Sequence, residues 1–361
     1  MHTEKKYESF GKQEKYHTDR NMWFDGGVDV ARYDTMKYPV FFNLTKEQRS
    51  FIWSPEEISL KTDMRNFKKM EPHLQHIFTS NIKRQILLDS VQGRAPVEVL
   101  MPLCSLPELE SWIITWTHSE AIHSESYTYI IRALYNNPSE VFDSLRDIEE
   151  IEDCAEDVTR FYDDLANYDG EFGSYEHKTL LWKCINAINA LEAVRFYVSF
   201  ACTYAFGKNG ILPGCADEIR LINLDEDLHR KGTTEMLKLM LRDDPDYVTI
   251  REECEEDVTK MFVDVIEQEC AWADYLFKEG AMLGLTAPLL KEYVRWVGTR
   301  RMRSVGLKSP YTVGKSNPLP WVDEQINESA QQKSPQEEEL TAYEKGKISQ
   351  DFDPSNLGFD L

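Results

Sequence analysis

Two segments of the chain carry the pattern Glu-x-x-His: Glu120-Ala-Ile-His123 and Glu226-Asp-Leu-His229. Residues three apart on a helix share a face, so each pair can offer one carboxylate oxygen and one imidazole nitrogen to a common point. A single such pair is most simply a solvated surface pair. Here both lie within apolar stripes. The first stripe reads Trp112, Trp116, Glu120, His123, Tyr127, Ile130, Leu134, in steps of 4, 4, 3, 4, 3 and 4. The second reads Ile219, Ile222, Glu226, His229, Thr233, Met236, Met240.

Two more predicted helices carry one acid each in the same setting: Phe78, Ile82, Gln85, Asp89, and Leu181, Ile185, Ile188, Glu192, Phe196, Phe200. The order is acid, Glu-x-x-His, acid, Glu-x-x-His. Asp89 precedes Glu120 by 31 residues and Glu192 precedes Glu226 by 34, as if two helix pairs each brought half of one site. Buried carboxylates without a counter-charge cost several kcal/mol. No Lys or Arg lies on these stripes, so a different cation must compensate them.

Four carboxylates and two imidazoles on four helices are the donor set of dinuclear iron or manganese bundles. Hard oxygen donors suit those metals. Zinc takes fewer ligands and often cysteine. The plain alternative is a set of core polar groups satisfied without metal. Tyr127, one turn beyond His123, would place a phenol beside the metal, with Phe196, Phe200 and Ile222 available to keep water away. Alone, a buried tyrosine is core with a hydrogen bond.

The elements that must position these residues are helices. Apolar periodicity predicts them at about 72–92, 107–136, 178–206, 216–241, 255–282 and 287–304. Thr45-Lys-Glu-Gln48 resembles a capping box opening a helix through Trp53, and Ser54-Pro55 is a second start signal. No segment alternates with period two, so the fold class is all-α. Residues 1–40 read as an irregular arm and 41–321 as one helical domain. From Val322 to Leu361 the chain has ten acidic and three basic residues, and reads as a mobile acidic tail. The apolar residues Phe352, Leu357, Phe359 and Leu361 suggest a docking peptide at its end.

The bulk properties narrow the function. The 361 residues carry a formal charge of -22, which argues against nucleic acid as a direct partner. No apolar run could span a membrane, and the first twenty residues lack the apolar core of a signal peptide. A cytoplasmic location is expected. The seven cysteines form no Cys-x-x-Cys pair, so reduced buried thiols are expected.

The chain resembles the small subunit of class I ribonucleotide reductase, of the aerobic bacterial and phage type. The resemblance rests on Val30-Ala-Arg-Tyr-Asp34, Ile86-Leu-Leu-Asp-Ser-Val-Gln-Gly-Arg94, Glu120-Ala-Ile-His-Ser-Glu-Ser-Tyr127, Leu191-Glu-Ala-Val-Arg-Phe-Tyr197, Asp225-Glu-Asp-Leu-His229 and Ser316-Asn-Pro-Leu-Pro-Trp321. It implies a ferritin-like bundle. Asp89, Glu120 and His123 would bind one iron and Glu192, Glu226 and His229 the other, with a bridging carboxylate, an oxo bridge when oxidised, and manganese as a possible substitute. It also implies that dioxygen and a reductant generate a radical on Tyr127. Trp53 would supply an electron and relay the radical, Asp225 would link Trp53 to His123, and Tyr343 and Glu337 would carry the transfer in the tail. A homodimer would dock by its tail on a large subunit that reduces ribonucleotides, as diphosphates, for DNA precursor synthesis. Leu224 departs from the resemblance, since an arginine is expected there. Two competing functions share the bundle: a dimetal oxidase or hydroxylase, and an iron store.

Overall fold

The computed structural model describes residues 15–331, with side chains through residue 325. Twelve α-helices lie among them: α1 Pro39–Arg49, α2 Lys61–Phe67, α3 Pro72–Gln92, α4 Pro107–Leu134, α5 Pro138–Asp143, α6 Glu149–Ala166, α7 Tyr175–Ala190, α8 Tyr197–Lys208, α9 Pro213–Asp243, α10 Asp246–Leu276, α11 Ala287–Ser304 and α12 Pro320–Gln331. Among the described residues there is no strand, only isolated bridges between Trp23 and Cys104 and between Met282 and Leu285. The all-α, ferritin-like reading holds.

Local chemistry sets the starts. Proline occupies the first helical turn of α1, α3, α4, α5, α9 and α11, where a missing N–H costs nothing. Ser174 and Thr286 cap α7 and α11 by accepting from His177 N and Leu289 N. The fully buried Asp63 of α2 accepts the Gly214 and Cys215 amides at 3.1 and 2.8 Å, so one helix caps the N-terminus of another.

The long helices α3, α4, α7 and α9 form the centre. Helix α4 packs on α1, α3 and α9, α7 packs on α6, α9 and α10, and α11 packs on α10. Gly232 lets α9 approach α4 closely, because a Cβ there would overlap the Trp112 indole. Arg84 and Glu269 form a buried ion pair between α3 and α10 at 2.5 Å, away from the acid and histidine stripes. All seven cysteines are buried and free.

Several expectations need correction. Thr45 does not open a helix. Pro39 does, and Thr45 sits mid-helix with its hydroxyl donating to Phe41 O at 3.1 Å. Helix α1 ends at Arg49, so Trp53 lies in the turn before a 3-10 segment, Pro55–Glu57, that Ser54 caps. The predicted helix 178–206 is interrupted by a π segment, Leu191–Arg195. Helix α6 is not among the predicted helices, because its run of acidic residues masks a narrow apolar stripe. Of the expected arm, the described residues 15–38 form no α-helix but are packed, with Met22 and Trp23 in the core. Helix α12 crosses the expected tail boundary and buries Val322. Glu337, Tyr343 and the docking peptide lie outside the described residues.

Candidate metal centre

Helices α3, α4 and α9 and the π segment after α7 each turn one stripe inward, and Asp89, Glu120, His123, Glu192, Glu226 and His229 meet at the centre, all buried. Their potential ligand atoms form two groups, each within 4.8 Å: Asp89, Glu120, His123, Glu226, and Glu120, Glu192, Glu226, His229. Glu120 and Glu226 belong to both groups. Glu192 lies in the π segment, where one extra residue per turn re-aims a side chain, a device common at functional sites.

Both imidazoles point Nδ1 inward. His123 Nδ1 lies 3.2 Å from Glu226 Oε1, and His229 Nδ1 lies 3.2 Å from both Glu120 Oε1 and Glu226 Oε2. Nε2 faces outward in each. That of His123 is 3.0 Å from Asp225 Oδ2, and that of His229 is 2.9 Å from Ser119 Oγ. Such outer partners fix the ring and leave the inner nitrogen for a ligand bond. Trp53 Nε1 donates to the same Asp225 Oδ2 at 3.0 Å, and Gln48 Nε2 reaches Asp225 Oδ1 at 3.2 Å and Ser119 Oγ at 2.7 Å.

The carboxylates are braced in the same way. Tyr127 donates to Asp89 Oδ2 at 2.6 Å, Trp116 Nε1 to Glu120 Oε1 at 2.9 Å and Gln92 Nε2 to Glu192 Oε1 at 2.7 Å. Five inward atoms nevertheless have no hydrogen-bond partner: Asp89 Oδ1, Glu120 Oε2, His123 Nδ1, Glu192 Oε2 and Glu226 Oε1. Orphaned buried acceptors are rare in native proteins and call for a cation.

Proton affinities agree with that fit. Burial, then the charges of Glu226 and Glu120, push the Asp89 carboxyl well above its usual range. Burial, then Glu226, does the same to Glu192. Burial opposes charge on both imidazoles, but Asp225, Glu120 and Glu226 raise His123 and the three nearest glutamates raise His229. Against burial, the histidines hold Glu120 down, and Glu192 and the histidines hold Glu226 down. Four carboxylates with two neutral imidazoles would carry four negative charges, which two divalent cations would offset.

Thus all six sequence-predicted donors converge, and Tyr127, Trp53 and Asp225 adjoin them. Phe196, Phe200 and Ile222 are buried. Sequence reasoning missed Gln48, Ser119, Gln92 and Tyr162. Only Gln92 left a signal, three residues after Asp89 on the same face.

The family model for "Ribonucleotide reductase, small chain" matches residues 31–318. The ribonucleoside-diphosphate reductase subunit beta of Haemophilus influenzae is 42% identical over 370 residues, 97% of this chain and 98% of that one. Its namesake from Enterobacteria phage T4 is 40% identical over 92% of this chain and 93% of its own. Among solved structures, the ribonucleotide reductase R2 subunit from Clostridium botulinum superposes with a TM-score of 0.76 at 22% identity, covering 88% of this chain and 99% of that chain. The dimanganese(II)-NrdF of Streptococcus sanguinis gives 0.70 at 18% identity, covering 83% and 99%. These two share the fold.

Proposed function

The chain belongs to the ribonucleotide reductase small-chain family, and from that premise we propose that it is the radical-generating small subunit of a ribonucleoside-diphosphate reductase. Asp89, Glu120 and His123 would hold one metal ion and Glu192, Glu226 and His229 the other, with Glu120 and Glu226 placed to serve both. We take the metals to be iron, with manganese able to use the same donors. When bound, the metal pair supplies the oxidising power of dioxygen that turns the Tyr127 phenol into a neutral radical.

The rest is work for this chain's own side chains. Asp89 Oδ2 already accepts the Tyr127 hydrogen bond, so the phenolic proton has a place to go. Burial keeps that phenol protonated, and burial and Asp89 together push it well above its usual range, so it loses its proton only with an electron. Trp53, Asp225 and His123 form a continuous hydrogen-bonded line from the turn after α1 to the cluster, suited to carrying an electron inward and a radical outward. Tyr343 and Glu337 would continue that line towards a large subunit that docks on the C-terminal tail and reduces the nucleotide. A homodimer in the cytoplasm is part of the same proposal. Among the described residues, no helix is long and apolar enough to cross a membrane.

The observation that carries the reading is the convergence of six buried ligand side chains, five of whose facing atoms make no hydrogen bond, beside a phenol hydrogen-bonded to one of their carboxylates. Adding ferrous iron and oxygen should give a sharp visible absorption and a tyrosyl electron paramagnetic resonance signal. Tyr127→Phe should abolish the signal and leave two irons bound. An identical signal in the variant would refute the assignment.

A further inference from the structure

A second buried phenol is connected to the same cluster. Tyr162 is 5% exposed and lies on the buried stripe Ile151, Cys154, Val158, Tyr162, Leu165 of α6, which packs on α3 and α7. Its hydroxyl donates to Gln92 Oε1. The other end of that amide, Nε2, donates to Glu192 Oε1 at 2.7 Å. Gln92 is fully buried. Each half of the cluster therefore has its own tyrosine. Tyr127 touches the Asp89 carboxylate directly, whereas Tyr162 reaches the Glu192 carboxylate only through one amide.

That single amide changes the chemistry available. Removing one electron from a phenol leaves a strongly acidic cation, and a dry interior penalises an uncompensated charge. Oxidation there requires the proton to leave with the electron. A carboxylate can take a proton, but an amide oxygen only accepts a hydrogen bond. Because the Gln92 NH2 group is committed to Glu192, its oxygen is the atom that faces Tyr162. The nearby Cys184 thiol, pushed far up by burial, still carries its own proton and cannot accept another.

We propose that Gln92 determines which tyrosine is oxidised: its amide holds Glu192 in place yet stops proton transfer from Tyr162, so the radical forms on Tyr127 alone. The inference rests on the functional reading above. At Tyr127 the O–H bond would break, with the proton passing to the Asp89 side and the electron taken by the oxidant that the bound metal pair and dioxygen would supply. At Tyr162 the same electron acceptor is present and the proton acceptor is not.

The test uses the full chain loaded with ferrous iron and oxygen, with iron content and electron paramagnetic resonance both recorded. A wild-type protein that binds iron without any tyrosyl signal would count against the functional reading and not against this inference. Tyr127→Phe with Gln92 intact should bind iron and show no tyrosyl signal. Tyr127→Phe combined with Gln92→Glu should give a new tyrosyl signal, narrowed by ring-deuterated tyrosine and lost when Tyr162→Phe is added. Gln92→His, which offers an imidazole acceptor, serves if the added carboxylate disturbs metal loading. A Tyr162 signal with Gln92 intact would overturn the proposal. So would silence from an iron-loaded variant carrying either new acceptor.

Discussion

The two halves of the cluster share Glu120 and Glu226 and differ in the hydrogen bonds around their other ligands. The half built on α3 and α4 has Tyr127 on Asp89, and Asp225 with Trp53 on His123. The half built on the π segment and α9 has Gln92 on Glu192, and Ser119 with Gln48 on His229. By direct hydrogen bonds the first half meets a second carboxyl and two oxidisable side chains, the second amides and a hydroxyl, although the Trp116 ring packs 5.3 Å from His229. A near-repeat in sequence has therefore produced an asymmetric site. The asymmetry lies in the outer hydrogen bonds, which under the proposed function would set where protons and electrons can leave.

The most severe way to probe the comparison is to remove a shared acid. Glu226→Ala should cost both metals, because Glu226 stands in both groups, whereas Glu192→Ala should spare the metal of the α3/α4 half. Metal analysis of the two variants decides. Equal loss from both would mean that the halves do not load separately.

Acidity should act on both halves alike. Asp89 and His123 on one side, and Glu192 and His229 on the other, hold protons to a higher pH than usual. Metal must displace them, so affinity should fall as pH drops and rise as pH increases, by about tenfold per pH unit for each proton displaced. Titration of Mn2+ into lightly buffered protein should release protons. A pH-independent affinity would contradict this.

The outer partners should separate the halves. Asp225→Asn disturbs His123 and Trp53 together, and should weaken metal binding on its side by about 10- to 100-fold while slowing radical formation. Ser119→Ala should cost less than about tenfold, because Gln48 Nε2 remains 3.3 Å from His229 Nε2. Calorimetric or spectroscopic metal titration of each variant measures the difference. Equal penalties would erase the distinction drawn between the halves.

Much of this was legible in the chain. The six donors were readable because each sits at a fixed helical spacing inside an apolar stripe, and the penalty for burying carboxylates singles them out. Helices 72–92 and 287–304 coincide with α3 and α11 because proline and apolar periodicity mark them locally. The break at Leu191–Arg195 was invisible, because Leu, Glu, Ala, Val and Arg suit a regular helix as well as a π turn. The amphipathic α6 was overlooked through its acidic surface, and with it Tyr162.

The sequence by itself determined the all-α class, the donor set and the presence of a phenol one turn from a histidine, since these follow from periodicity within single helices. Only the tertiary structure decided what each donor's other atom touches. Gln48 and Asp225 lie 177 positions apart, and Gln92 and Glu192 lie 100 apart, yet their contacts depend on separations near 3 Å. Distances that short between remote segments are set by how whole helices pack, and no local spacing encodes them.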